Sequence, residues 1–356
     1  MHNTPSLGEW GGRADERLVL FAANDYLGLS AHPAVRAAAA AAAAEFGCGP
    51  RSSALVSGYT HAHRELESAL AALKGKEEAL LLPTGYAANL AVLGALCESV
   101  DVAIFSDALN HASIVDGCRL ATRGTGAQLH VYRHCDLGHL DELLRASGAA
   151  RKLIVSDSLF SMDGDYADVP GLARLRARHG ALLVLDDAHA SLVCGERGGG
   201  VAQMQGVGSE HVDVTVGTLS KAFGAHGGFV ACSREVKQLL VSRGRAVIYS
   251  TALPAPAVAA ASAALRTDTV GLRAKLWRNV ALFAAETGLP KLVSPIVAII
   301  VGDEDKALRL SAQLIELGFF VPAIRPPTVP AGTSRLRLTL SAAHSEEDVR
   351  ALAAAL

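Results

Sequence analysis

The chain has 356 residues, with 33 lysines and arginines against 35 aspartates and glutamates for a net charge of −2, and half of its residues are apolar. Near-neutral charge leaves no basic stripe for a phosphate backbone or an anionic membrane surface, which argues against nucleic acid or membrane as partner and for small molecules. A mean hydropathy of +0.28 comes from alanine, and no charge-free apolar window of about 20 residues is present to span a membrane.

Met1 leads into His2, Asn3, Thr4 and Pro5 with neither an apolar signal stretch nor an arginine-rich amphipathic helix. The six cysteines (Cys48, Cys97, Cys118, Cys135, Cys194 and Cys232) lie far apart without a CxxC pair. Both features point to reduced thiols in the cytoplasm, an organellar leader staying open if the start is trimmed. A length of this order suggests two domains. After a short N-terminal segment, 1–28, the alanine-rich run from Ala34 to Ala44 reads as a surface helix stopped at Gly47-Cys48-Gly49-Pro50. Short apolar runs then alternate with helix-length segments, at 79–82, 102–107, 153–158, 181–187, 212–218 and 227–232. Runs apolar on both faces and separated by helices predict an α/β domain with a large, mainly parallel, doubly wound sheet. Too few residues join the last two runs for a helical crossover, so one edge strand is expected to be antiparallel. Beyond Pro254 and Pro256 another alanine-rich helix opens. The runs SPIVAIIVG, FFVPAIRPP and SRLRLTLS supply strands around a helix near Lys306 to Leu317. The expected organisation is a large domain over 29–250 and a smaller C-terminal α/β domain over 251–356.

In open parallel sheets, ligands bind outside the carboxyl ends of the strands. Asp186 stands at one such end with His189 three residues on, Thr218 and Lys221 follow another, and Ser-Asp-Ser-Leu-Phe-Ser leads to Ser161. A lysine among apolar residues and glycine suits Schiff-base formation with a carbonyl. A carboxylate rising from a dry strand end can pair with a cation, which in a pyridoxal phosphate enzyme is the protonated pyridine nitrogen. The stretch from Pro83 to Asn89 follows a strand and opens a helix, where exposed N–H groups and the small Gly85 make an anion site. Singly, each signal has a plainer reading: a solvated lysine, an ordinary helix cap, a satisfied buried histidine. Their order and shared strand-end placement are what those readings do not predict. No GxGxxG follows the first strands, and GxxxxGK[ST] and HExxH do not occur. His61 with His63, or His130, His134 and His139, read better as solvated or locally bonded side chains than as metal clusters, and no metal is expected.

The sequence resembles the α-oxoamine synthases of the fold-type I pyridoxal phosphate enzymes. The matching segments are Asn24 to Leu29, Ser57-Gly58-Tyr59, Thr84 to Asn89, Asn110 to Ser113, Phe160 to Asp165, Asp186 to His189, Thr218 to Gly224, Tyr249 to Pro254 and Arg325 to Leu340. They run from about residue 20 to the C-terminus. The resemblance implies an acyltransferase with pyridoxal 5′-phosphate as cofactor. Within the family, the Arg-Pro-Pro-Thr-Val-Pro segment favours members that condense L-alanine with a pimeloyl thioester in biotin biosynthesis, releasing carbon dioxide and the thiol. A glycine C-acetyltransferase, another member, or a non-catalytic subunit of a heteromeric synthase are the alternatives.

Carried over by resemblance, Lys221 would form the Schiff base and remove the Cα proton of alanine. Asp186 would pair with the pyridine nitrogen and His189 with the ring hydroxyl. Gly85 and Tyr86 would position the cofactor near the helix end, Ser161 and Thr218 would contact it, and His111 would stack on its ring and assist proton transfer. Arg337 would hold the alanine carboxylate, although Arg335 lies on the same strand face and spacing does not separate the two. Arg325 and Thr328 would line the pimeloyl side, and Asn24 the substrate entrance. The family also implies a homodimer with shared sites, in which Thr251 reaches the neighbour's phosphate. Two departures stand out: Asn24-Asp25 comes too early for the further N-terminal helix of typical members, and Asp157 stands where relatives often carry Glu.

Overall fold

The computed structural model describes residues 18–98, 101–290 and 292–356. The chain packs as two compact units. The larger comprises His32–Phe160 and Tyr166–Thr269; the smaller comprises the described residues up to Ala31, Ser161–Asp165 and Val270–Leu356.

Among the described residues of the larger unit, seven strands form one sheet. They are β1 (Glu78–Leu82), β2 (Val102–Asp107), β3 (Gln128–Tyr132), β4 (Arg151–Asp157), β5 (Leu182–Asp186), β6 (Val214–Thr218) and β7 (Gly228–Cys232), in spatial order β1-β7-β6-β5-β4-β2-β3. Strands β2 to β6 are mutually parallel, with Ser106 opposite Val155, Asp157 opposite Asp186 and Asp186 opposite Val216. That register lines the carboxyl ends of the strands along one rim. Val102, Ile104, Val155, Val184, Val214 and Val230 are buried in the core, as strands covered on both faces require. The helix Gly85–Leu96 buries Ala88, Ala91, Val92, Leu93, Ala95 and Leu96 against this sheet. With apolar residues all round and little amphipathicity, it is an interior helix rather than a surface one.

Three sequence expectations change. The antiparallel strand is β7, and it is not at the edge: it pairs antiparallel with both β6 and β1, and β1 takes the edge. The short 219–227 connection forces β7 back beside β6, and the free side of β7 is then filled by a strand from 150 residues earlier. Strand β3 was not among the apolar runs, because an edge strand keeps one side wet; Gln128 and Val131 are exposed. The helix Ala255–Arg266 belongs to the larger unit, where its buried Ala260, Ala261, Ala263 and Ala264 allow close packing in the region of the helix Pro33–Phe46.

The smaller unit contains β8 (Ile296–Gly302), β9 (Ala323–Ile324) and β10 (Ser334–Thr339), an antiparallel sheet in the order β9-β10-β8. The helix Glu304–Glu316 starts at Asp303, whose carboxylate accepts the Lys306 N–H at 2.7 Å. The N-terminal stretch is built into this unit: Val19–Leu20 pairs with Phe319–Phe320, and the Phe21 carbonyl accepts the Thr339 N–H at 2.7 Å. No helix among the described residues is long and apolar enough to cross a membrane.

Candidate active site

The rim of the larger sheet gathers most of the polar residues singled out from sequence. Asp186, the last residue of β5, is buried. Its Oδ2 accepts from Asn89 Nδ2 at 2.6 Å and its Oδ1 from the Ala188 N–H at 2.8 Å. Both bonds come from neutral donors, and no lysine or arginine among the described residues forms an ion pair with it. Asn89 also donates to Ser113 Oγ at 2.8 Å, while its own Oδ1 is buried without a partner. Asn89 and Ser113 lie within the matching motifs, and the resemblance assigns neither a role. The signal was the spacing: Asn89 follows Gly85 by four residues and so shares its helix face.

Lys221 Nζ and His189 Nε2 lie 2.7 Å apart and share a hydrogen bond. Thr218, at the end of β6, is buried; its Oγ1 donates to the Gly227 carbonyl at 3.0 Å and accepts the Ser220 N–H at 3.2 Å. The helix Gly85–Leu96 begins beside it. Thr84 caps that helix by accepting the Ala87 N–H at 3.0 Å. A Cβ at Gly85 would come within 3.1 Å of Thr218 Cβ, and one at Gly228 within 2.3 Å of the Thr84 carbonyl oxygen, so the two glycines let the helix start flush against the strand ends. Tyr86 instead turns outward, its hydroxyl donating to Asp116 Oδ2 at 2.7 Å.

His111 caps the helix Ala112–Thr125, its Nδ1 accepting the Ser113 N–H at 3.2 Å. Lost hydration draws its pKa below the ordinary imidazole value; the Asp186 charge opposes this and Lys221 adds to it. These couplings put His111, Asp186 and Lys221 in one electrostatic neighbourhood. The His111 N–H is held by Asp157 Oδ2 at 2.9 Å. Asp157 is fully buried, and burial together with the Asp186 charge holds its carboxyl well above the usual carboxylate range. The adjacent Asp187 is occupied differently. Lys74 Nζ reaches its Oδ2 at 2.8 Å and the Gly199 carbonyl at 2.9 Å, and Ser158 Oγ donates to its Oδ1 at 2.5 Å.

In the smaller unit, Arg337 lies on β10 with its guanidinium buried. Nε donates to the Ser161 carbonyl at 2.5 Å, Nη1 to Thr339 Oγ1 at 3.1 Å and Nη2 to Asn24 Oδ1 at 3.3 Å. These bonds leave one N–H on each terminal nitrogen, the pair that a carboxylate takes. Arg335, on the same face, is neutralised by Asp163 at 2.6 Å. Among the described residues no acid pairs with Arg337. Arg337, Asn24 and Ser161 thus come together. Arg325 and Thr328 are exposed, with Arg325 facing Glu304 at 3.9 Å. Thr251, in the larger unit, is exposed and forms a backbone bridge with Ser53.

The family Aminotransferase class I and II matches residues 16–356. The chain belongs to this family. Its relatives include the 8-amino-7-oxononanoate synthase of Arabidopsis thaliana, 50% identical over 381 residues that cover all of this chain and 80% of the relative. The protein of that name from Anaeromyxobacter dehalogenans strain 2CP-1 is 51% identical over 355 residues, covering 97% of this chain and 86% of the relative. Among solved structures, a serine palmitoyltransferase of S. paucimobilis with bound pyridoxal phosphate is 30% identical with a TM-score of 0.90, over 96% of this chain and 86% of that one. An 8-amino-7-oxononanoate synthase of Francisella tularensis is 27% identical with a TM-score of 0.79, over 94% and 96%. The large, mostly parallel sheet of this family member is the fold-type I architecture expected from sequence.

The rim fits pyridoxal phosphate on its own chemistry. It offers a buried carboxylate with no lysine or arginine ion pair among the described residues, a lysine amine beside an imidazole, a helix N-terminus brought flush against Thr218, and an orphaned amide oxygen on Asn89.

Proposed function

We propose that this chain condenses L-alanine with a pimeloyl thioester, releasing carbon dioxide and the free thiol, as a pyridoxal phosphate-dependent acyltransferase of biotin biosynthesis. The observation that supports this best is the strand-end set of Asp186, His189 and Lys221, on a chain half identical to 8-amino-7-oxononanoate synthases. Relatives at about half identity weigh more for substrate class than a shared fold with serine palmitoyltransferases at 30%.

When bound, the cofactor supplies an electron sink for the pair left at the alanine Cα. Asp186, oriented by Asn89 and Ala188, would pair with the ring nitrogen and hold its proton. His189 serves the ring hydroxyl, and the helix start at Gly85 with Thr218 takes the phosphate. Lys221 Nζ accepts the Cα proton and later returns one, held in position by His189. His111 would cover the ring face and exclude water. Arg337 takes the alanine carboxylate through its two remaining N–H groups. The same reading gives Ser161 a cofactor contact, Asn24 the substrate entrance, and Arg325 and Thr328 the pimeloyl chain.

The chain acts as a homodimer in this reading. Supporting it, Leu55, Val56 and Tyr249 are 49%, 79% and 72% exposed, and the Ser53–Thr251 bridge draws their segments together into an apolar patch. Six unpaired cysteines support a cytoplasmic setting. The test is thiol release by the cofactor-loaded protein, comparing L-alanine plus pimeloyl-CoA with glycine plus acetyl-CoA. Faster turnover of the first pair is expected, and preference for the second overturns the assignment.

A further inference from the structure

Four polar side chains of the larger unit form one string of hydrogen bonds across the rim, from the end of β5 to the start of the helix Ala112–Thr125. Asp186, Asn89 and Ser113 are buried, and His111, at the outer end, is exposed. The direction of each bond follows from the two ends. A carboxylate oxygen accepts, so Asn89 turns its amide nitrogen to Asp186 Oδ2 at 2.6 Å. The second N–H of that nitrogen goes to Ser113 Oγ at 2.8 Å. With Oγ accepting from Asn89, its own proton is directed at His111 Nδ1, 2.8 Å away. The Ser113 backbone N–H, which can only donate, meets the same nitrogen at 3.2 Å. Two donors on Nδ1 leave the ring proton on Nε2, and they oppose a second proton at Nδ1 because the backbone donor cannot turn away. The arrangement leaves Asn89 Oδ1 buried without a partner among the described residues, which an asparagine that only packs rarely tolerates.

We propose that Asn89 and Ser113 are positioning residues that hold His111 neutral, with its proton on Nε2, and so reserve the Asp186 charge for the ring nitrogen of the cofactor. This rests on the cofactor placement under Proposed function. The charged groups around His111 are Asp186 from β5, Lys221 beyond β6, Asp116 on its own helix, and Asp157 from β4, which accepts its main-chain N–H at 2.9 Å. Asp186 and Asp116 favour an imidazolium; lost hydration, Lys221 and the donors at Nδ1 act against it. An imidazolium there would answer Asp186 from within the chain, whereas a neutral ring leaves that carboxylate to a cation from outside. Ser113 Oγ could equally turn to accept from a protonated Nδ1, and Asn89 commits it to donating.

The cofactor-loaded protein is isotopically labelled at its histidine nitrogens and titrated by NMR, the His111 signals being identified by their loss in His111→Gln. The parent ring is expected to carry its proton on Nε2 and to titrate below the ordinary imidazole value. Ser113→Ala keeps the backbone donor and removes only the hydroxyl, while Asn89→Ala keeps the hydroxyl and frees it to accept. Each should raise the His111 midpoint by about 0.5–1 pH unit, the equivalent of one hydrogen bond. A parent ring protonated on Nδ1 overturns the proposal, and so does a midpoint unmoved by Asn89→Ala. If the protein retains no pyridoxal phosphate, the reading under Proposed function falls, while the apoprotein spectrum still decides which His111 nitrogen holds the proton.

Discussion

Lys74→Met isolates the buried ion pair next to the candidate-site rim. The Lys74 and Asp187 side chains are 1% and 3% exposed and 2.8 Å apart. Methionine keeps the apolar stem and most of the volume, so packing changes little. What is lost is the counter-charge, leaving a buried carboxylate held only by Ser158 and unable to regain water. Removing one partner of such a pair costs about 3–5 kcal/mol. At about 2–4 °C per kcal/mol for a larger domain, the thermal midpoint of the apoprotein should fall by about 6–20 °C. Replacing both partners, Lys74→Met with Asp187→Leu, should recover most of that loss, because no charge then stays buried. Differential scanning calorimetry of the parent, single and double variants supplies the comparison. A single variant within about 2 °C of the parent, or a double variant no better than the single, would refute the reasoning.

Other expectations bear on the site itself. Lys221→Ala should abolish thiol release while leaving the far-ultraviolet circular dichroism unchanged; near-normal turnover would exclude Lys221 from proton transfer. Arg337→Lys should lose a charge-assisted bond worth about 1.5–3 kcal/mol, lowering kcat/KM for alanine by about 10- to 150-fold, whereas Arg335→Lys, which disturbs the Asp163 pair, should act mainly on thermal stability. The opposite pattern in steady-state kinetics would reverse the assignment of the two arginines. Because the folded-state pKa of Asp157 is raised, its protonated form favours folding. That contribution is complete below the unfolded carboxyl value and is lost as pH rises through the raised folded value. Asp157→Asn should therefore gain on the parent apoprotein as pH climbs from about 4 to 8, and a thermal midpoint of the variant that stays level or falls relative to the parent would count against the burial argument.

The parallel strands were legible because each carries its own signal: β2, β4, β5 and β6 are apolar on both faces, and the helices between them set the direction. Strand β3 lacked that signal, since Gln-Leu-His-Val-Tyr is half wet at the sheet edge. The edge itself was a long-range choice. Loop length shows that β7 must turn back beside β6, but nothing local says that residues 78–82 will pair with 228–232 and displace it inward. The same limit governed the arginines: Arg335 and Arg337 are equivalent by spacing, and only Asp163, far away in sequence, distinguishes them.

The Asp186-Asp187 pair shows why a motif becomes a site only in three dimensions. At the end of β5 the two carboxylates receive opposite treatment. Asp187 is given a lysine, a serine hydroxyl and a tight glycine wall, since a Cβ at Gly200 would lie 1.9 Å from its Oδ2. Its charge is spent within the protein, and it acts as a structural tie. Asp186 receives two neutral N–H donors and, among the described residues, no lysine or arginine ion pair. A buried carboxylate is costly unless a positive charge answers it. Among the described residues folding gives Asp187 a lysine ion pair and gives Asp186 none, so Asp186 stays open to a cation from outside the chain. A protonated pyridine nitrogen is the cation that the reading under Proposed function brings to it. Asp186→Asn should accordingly weaken pyridoxal phosphate retention on dialysis far more than it lowers apoprotein stability. If the apoprotein instead loses as much stability as in Lys74→Met, Asp186 is a structural tie as well, and the division of labour between the two residues fails.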